Sequence, residues 1–123
     1  MSFIILINEQ RYFYMERQEF LASAREIISL EIRSSGLTLV DIVLFGSRAR
    51  GESAAESDWD FLVVIKESLT FGEKAKLSSK LRRKFALLQT DADIIIKSEE
   101  NLLLEKENKG LLVHYALREG IHL

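Results

Sequence analysis

The sequence predicts an α/β domain, a compact sheet covered by helices. Three observations predict it. Two segments, residues 16–34 and 72–88, repeat apolar residues at the helical period. Three short apolar, β-branched runs, Leu39–Phe45, Trp59–Ile65 and Ala92–Lys97, have strand length. The two kinds of segment alternate, in the order helix, strand, loop, strand, helix, strand, helices. At 123 residues the chain has the length of one domain, and a hydrophobic fraction of 47% supplies a core.

Each element has a local reason. Residues 2–7 are read as a short strand or as a leader, because Met15 is an alternative start just before a strong helix. The division is therefore 1–15, leader or extra strand, and 16–123, one domain. In the first helix Phe20, Leu21, Ala24, Ile27, Ile28 and Glu31/Ile32 follow one face, and Gly36 is positioned to end it. Leu39–Phe45 closes on Gly46. Residues 48–57 are polar and read as a loop, with one helical turn possible at its start. Trp59–Ile65 is so apolar that both faces must be covered. In 72–88, Leu77, Leu81, Phe85 and Leu88 mark an inner face; Lys76, Lys80, Arg83 and Lys84 mark an outer, solvated one. Glu99–Glu107 and Leu111–Glu119 read as helical pieces split near Asn108-Lys109-Gly110.

Composition excludes several function classes. The net charge of −2 gives no basic field, so direct nucleic-acid binding is not expected. The chain has no cysteine, hence no disulfide and no thiolate metal ligand, and the cytoplasm is the expected location. Phe3-Ile4-Ile5-Leu6-Ile7 is too short to span a membrane and lacks the basic flank of a signal peptide.

One constellation carries chemistry. Gly46-Ser47 is followed, after a ten-residue gap, by Asp58-Trp59-Asp60, and later by Asp91-Ala92-Asp93. Strand alternation sets Asp58 and Asp60 on one face and Trp59 on the other. Two carboxylates beside a tight glycine turn suit a Mg²⁺-nucleotide site, because Mg²⁺ takes oxygen ligands from one or two carboxylates plus phosphates. Gly46 lets the chain turn sharply and a phosphate approach; Ser47 offers a hydroxyl and an N–H. Arg48 and Arg50 sit in the same turn, either to clamp phosphate oxygens or to pair with Glu52 and Glu56. Asp93 opens the third strand and suits a third carboxylate, as general base or metal ligand. Asp91 reads as a turn residue, and His114 and His122 as structural. A Gly-Ser and Asp-x-Asp match at fixed spacing arises by chance on the order of once per thousand chains of this length, at residue frequencies of roughly 5–7%.

These residues resemble a known family. Gly46-Ser47-Arg48-Ala49-Arg50-Gly51 with Ser57-Asp58-Trp59-Asp60-Phe61-Leu62-Val63 is similar to the signature of the minimal nucleotidyltransferases, within the DNA polymerase β-like superfamily. The similarity runs from about residue 16 to the end, including Ala116–Ile121. It implies a polymerase β-like fold with a small mixed central sheet flanked by helices. It implies nucleotide phosphate at Gly46 and Ser47, Mg²⁺ at Asp58 and Asp60, and the third carboxylate at Asp93. Many members act as the antitoxin of a HEPN-domain ribonuclease and are thought to move AMP from ATP to a toxin tyrosine. The expectation for this chain is that activity, with ATP as substrate and a HEPN-type partner. Two rivals stand beside it: a non-catalytic module that neutralises a partner by binding, and nucleotidyl transfer to a small molecule such as an aminoglycoside. Oligomeric state stays open, a homodimer being one option.

Overall fold

The computed structural model describes residues 9–51 and 58–123. Its elements are helix α1 (Glu9–Ser34), strand β1 (Leu39–Phe45), the short helix α2 (Ser47–Arg50), strand β2 (Trp59–Ile65), helix α3 (Phe71–Ala86), strand β3 (Ala92–Ser98), helices α4 (Glu99–Glu105) and α5 (Leu112–Glu119), and strand β4 (Ile121–His122). The expected strand over 2–7 lies outside the described residues. The first helix begins at Glu9, earlier than the 16 read from the sequence.

Four strands form one mixed sheet in the order β3-β2-β1-β4. β1 runs antiparallel to β2 and β4, and β2 runs parallel to β3. β2 is therefore central, and its residues from Phe61 to Ile65 are buried on both faces, as its uninterrupted apolar run requires. On the first face Ile42, Leu44, Trp59, Phe61, Val63, Ile94 and Ile96 pack beneath α1 and α3. Ala24, Ile28 and Ile32 descend from α1; Leu77, Leu81 and Phe85 descend from α3. On the second face Val43, Phe45, Leu62 and Val64 meet Ala116 of α5 and Leu102 of α4.

The helix ends follow local chemistry. Thr70 and Glu73 form a reciprocal capping box at the start of α3, so two otherwise orphaned N–H groups are bonded. The Ser98 hydroxyl caps α4 by accepting from the Asn101 N–H at 3.1 Å. α1 and α3 are also joined by charge. Glu31 is buried, and Lys84 Nζ lies 2.8 Å from its carboxylate, with Lys80 at 3.8 Å. Two lysines of the expected solvated stripe thus serve as partners for a buried acid. The Lys84 hydrogen bond holds the Glu31 carboxyl below the ordinary glutamate range, against the desolvation that opposes it.

The chain ends by extending the sheet. Leu44 pairs with Ile121 and Val43 with His122. His122 Nδ1 lies 2.6 Å from Asp41 Oδ2. Gly120 permits this return: a Cβ there would overlap the Val43 side chain and the Ala116 carbonyl, and would lie 3.0 Å from the Leu44 carbonyl oxygen. A two-residue strand leaves almost no pattern in sequence, so β4 was not foreseeable.

Candidate active site

The end of β1 and the starts of β2 and β3 lie side by side. Phe45 pairs with Asp60, and Asp60 pairs with Asp93. Paired residues on neighbouring strands point to one face, so the two carboxylates share the second face of the sheet. Asp60 is half-buried, while Asp58 and Asp93 are exposed.

Gly46 follows Phe45 and turns the chain away. Its φ of 76° and ψ of −161° fall in a region that only glycine occupies without strain. The turn also needs the missing side chain. A Cβ on Gly46 would stand 3.3 Å from Asp60 Cγ and collide with Oδ2. The glycine therefore brings backbone directly against the Asp60 carboxylate. The Gly46 carbonyl then accepts from the N–H groups of Ala49, at 3.1 Å, and Arg50, at 3.2 Å. This closes the single helical turn Ser47–Arg50, which ends at Gly51 in the left-handed conformation.

The electrostatics make one site of these residues. The Asp60 pKa is raised, first by burial and then by the charges of Asp93 and Asp58; Arg50 acts in the opposite sense. Like charges this close disfavour ionisation of the shielded member. Among the described residues, no three acidic or imidazole side chains form a ready-made metal cage. The oxygens are hard donors, two of the three are open to solvent, and their mutual repulsion is what a divalent cation relieves. Such a set fits Mg²⁺ that shares its remaining ligands with phosphates and water.

The arginines divide. The Arg48 guanidinium stacks over the Trp59 ring, 4.4 Å from its centroid, on the face opposite Asp60. Its carbonyl accepts from Arg17 Nη2 at 3.0 Å. Arg50 lies within electrostatic reach of Asp60. Their alternative partners, Glu52 and Glu56, fall outside the described residues. Trp59 itself packs on Phe20, with ring centroids 4.4 Å apart, so the residue between the aspartates anchors the strand to α1. Asp91 contributes its backbone: its carbonyl accepts from the Trp59 N–H at 3.0 Å, tying the start of β2 to that of β3.

Two spaces flank this end of the sheet, and one of them reaches the carboxylates. An apolar cavity of about 240 Å³ lies on the second face, lined by Phe45, Leu62, Ile95, Val113 and Ala116. The Lys97–Glu105 pair, at 3.1 Å, forms one of its walls. An open, polar groove of about 650 Å³ runs between the last turns of α3 and the start of β3, reaching Asp58, Asp91 and Asp93. Its α3 wall includes Ser79, Arg82 and Arg83. Sequence reading missed Ser79 and Arg82 because an exposed helix position carries no sign of what lies across from it.

Comparison with known proteins identifies the family and the fold. The sequence pattern of the family described as Polymerase beta, Nucleotidyltransferase matches residues 25–122. A Methanocaldococcus jannaschii protein provisionally named as a protein adenylyltransferase is 34% identical over 104 residues, covering 80% of this chain and all of that one. A solved structure provisionally described as a minimal nucleotidyltransferase is 33% identical, with a TM-score of 0.54 over 86% of this chain and 94% of that one. A toxin-antitoxin crystal structure with AMP-PNP shares the fold at 24% identity and a TM-score of 0.55, over 79% of this chain and 69% of that one. The chain belongs to the polymerase beta nucleotidyltransferase family.

Proposed function

We propose that this enzyme transfers AMP from Mg²⁺-bound ATP to a hydroxyl, a tyrosine of a HEPN-type toxin partner, and thereby acts as its antitoxin. The observation that carries the reading is the fit of Gly46 against Asp60, with Asp93 paired to Asp60 on the neighbouring strand. A side-chain-free turn pressed on a carboxylate has no packing rationale, whereas a phosphate and its metal need that open approach. The relative named as a protein adenylyltransferase supports protein as the acceptor class, and the fold shared with a chain of a toxin-antitoxin structure is consistent with the partnership.

In this reading Gly46 and Ser47 hold the triphosphate at the end of β1. Asp58 and Asp60 hold the metal, with Asp93 completing the set. Mg²⁺, when bound, neutralises charge on the α-phosphate and on the departing pyrophosphate. Asp93 takes the proton of the acceptor hydroxyl as its oxygen attacks the α-phosphorus. The residues otherwise act by positioning, since phosphoryl-type transfer asks for little covalent chemistry from the protein. Arg50 favours the ionised form of Asp60. Arg48, stacked on Trp59, would have to leave the indole to reach a phosphate.

The test is transfer of label from α-³²P-ATP to the partner, with Mg²⁺ present or chelated. Label that depends on Mg²⁺ and is lost in Asp58→Ala/Asp60→Ala supports the reading. Neutralisation of the partner that survives this double variant would favour the binding module instead.

A further inference from the structure

Arg82 and Arg83 stand out among the cations in the C-terminal half of α3. Lys80 and Lys84 are committed to Glu31. Arg82 and Arg83 are exposed, and both line the polar groove that ends at Asp58 and Asp93. Direction adds to this. In the sheet order, the Gly46 turn lies on the β1 side of Asp60 and the groove on its β3 side. Displacement at phosphorus has the attacking and leaving oxygens roughly in line. If the leaving pyrophosphate sits against Gly46-Ser47, the attacking hydroxyl must arrive from the β3 side, which is where the groove opens.

The geometry points to this groove as the acceptor channel, with Arg82 and Arg83 selecting a protein segment whose hydroxyl is flanked by acidic side chains. The inference rests on the nucleotidyl-transfer reading and adds the acceptor's route and charge. The hydroxyl oxygen bonds to the α-phosphorus of ATP, the bond to the β-phosphate oxygen breaks, pyrophosphate leaves, and the hydroxyl proton passes to Asp93. A peptide suits the groove better than a polynucleotide. A continuous phosphate backbone would run against Asp58, Asp91 and Asp93, whereas a peptide can present carboxylates to the arginines alone.

Three synthetic peptides test this, each with one tyrosine flanked by Glu, by Ser or by Lys. They are incubated with ATP, Mg²⁺ and either wild type or R82E/R83E, and AMP transfer is read by mass. A fluorescent ATP analogue with Mg²⁺ is titrated in parallel. Wild type should favour the Glu-flanked peptide over the Lys-flanked one on the order of tenfold, as two solvent-exposed ion pairs allow. R82E/R83E should reverse that preference while keeping its nucleotide affinity, which also shows that the variant is folded. Transfer indifferent to flank charge, an unchanged profile in R82E/R83E, or intact nucleotide binding with none of the peptides labelled overturns the inference and leaves nucleotidyl transfer standing. Transfer to an RNA 3′ end that R82E/R83E abolishes overturns it in favour of a nucleic-acid acceptor. Absence of nucleotide binding by wild type removes the underlying reading as well.

Discussion

Replacing Gly46 by alanine should expose the coupling between the turn and the carboxylate. Two costs add. A side chain at φ 76° and ψ −161° is strained by about 1–3 kcal/mol. The new Cβ must also push the Asp60 carboxylate aside, because only 3.3 Å would separate it from Cγ; forced repacking of this kind costs about 1–3 kcal/mol. Together, at about 2–6 kcal/mol, they should lower the Tm by roughly 10–20 °C in a domain of this size. Removing the carboxylate separates the costs. In Asp60→Ala the nearest remaining atom of residue 60 is Cβ, at an ordinary 3.6 Å, so the second cost disappears. A double-mutant cycle of Gly46→Ala with Asp60→Ala, followed by thermal or urea unfolding, should therefore show a coupling of about 1–3 kcal/mol. Gly36→Ala is the control, since Gly36 has a φ of 76° but nothing within 4 Å of a built Cβ. A coupling below about 0.5 kcal/mol, or a Gly46→Ala variant that melts like Gly36→Ala, would refute the close approach of turn and carboxylate.

Three further outcomes follow from the same contacts. Burial and the neighbouring aspartates raise the Asp60 pKa; the stability owed to its neutral form is present below the unfolded aspartate pKa and lost as pH rises through the folded one. Asp60→Asn should then be more stable than wild type at pH 8 but not at pH 3 by urea unfolding, and should lack the Tm increase expected of wild type with Mg²⁺ and AMP-PNP. Glu31 has a lowered pKa, chiefly through the Lys84 hydrogen bond, so its contribution is present above the unfolded glutamate pKa and fades as pH falls through the folded one. Glu31→Gln should cost about 1 kcal/mol at pH 7, small because both lysines are half-exposed, and nothing measurable at pH 2. Gly120→Ala should cost about 1–3 kcal/mol by forcing the chain end off Val43 and Leu44, seen as a lower Tm and faster hydrogen exchange at Ile121 and His122.

The strands were legible because each is a dense apolar run bounded by glycine or acid. Leu39–Phe45 and Trp59–Ile65 appear with the boundaries that their residues predict. The helical faces were legible for the same reason, through Phe20 to Ile32 and Leu77 to Phe85. Spacing was enough to bring Gly46, Asp60 and Asp93 together, because strand alternation and a short crossover leave few alternatives. Contacts between surfaces distant in sequence were not legible. Nothing local to Lys80 and Lys84 reveals that Glu31 is buried beneath them, and nothing local to Arg48 reveals that Trp59 lies under its guanidinium. Arg83 reads as one more residue of a solvated face, and Arg82 carries no signal at all, until the start of β3 stands opposite them.

The most direct test of the central claim is intact mass spectrometry of the proposed HEPN-type partner, co-expressed with wild type or with Asp58→Ala/Asp60→Ala. Mass increments of one or more AMP units with wild type, absent with the variant, are the predicted result. An unmodified partner in both cultures, neutralised equally by both proteins, would contradict nucleotidyl transfer as the means of neutralisation.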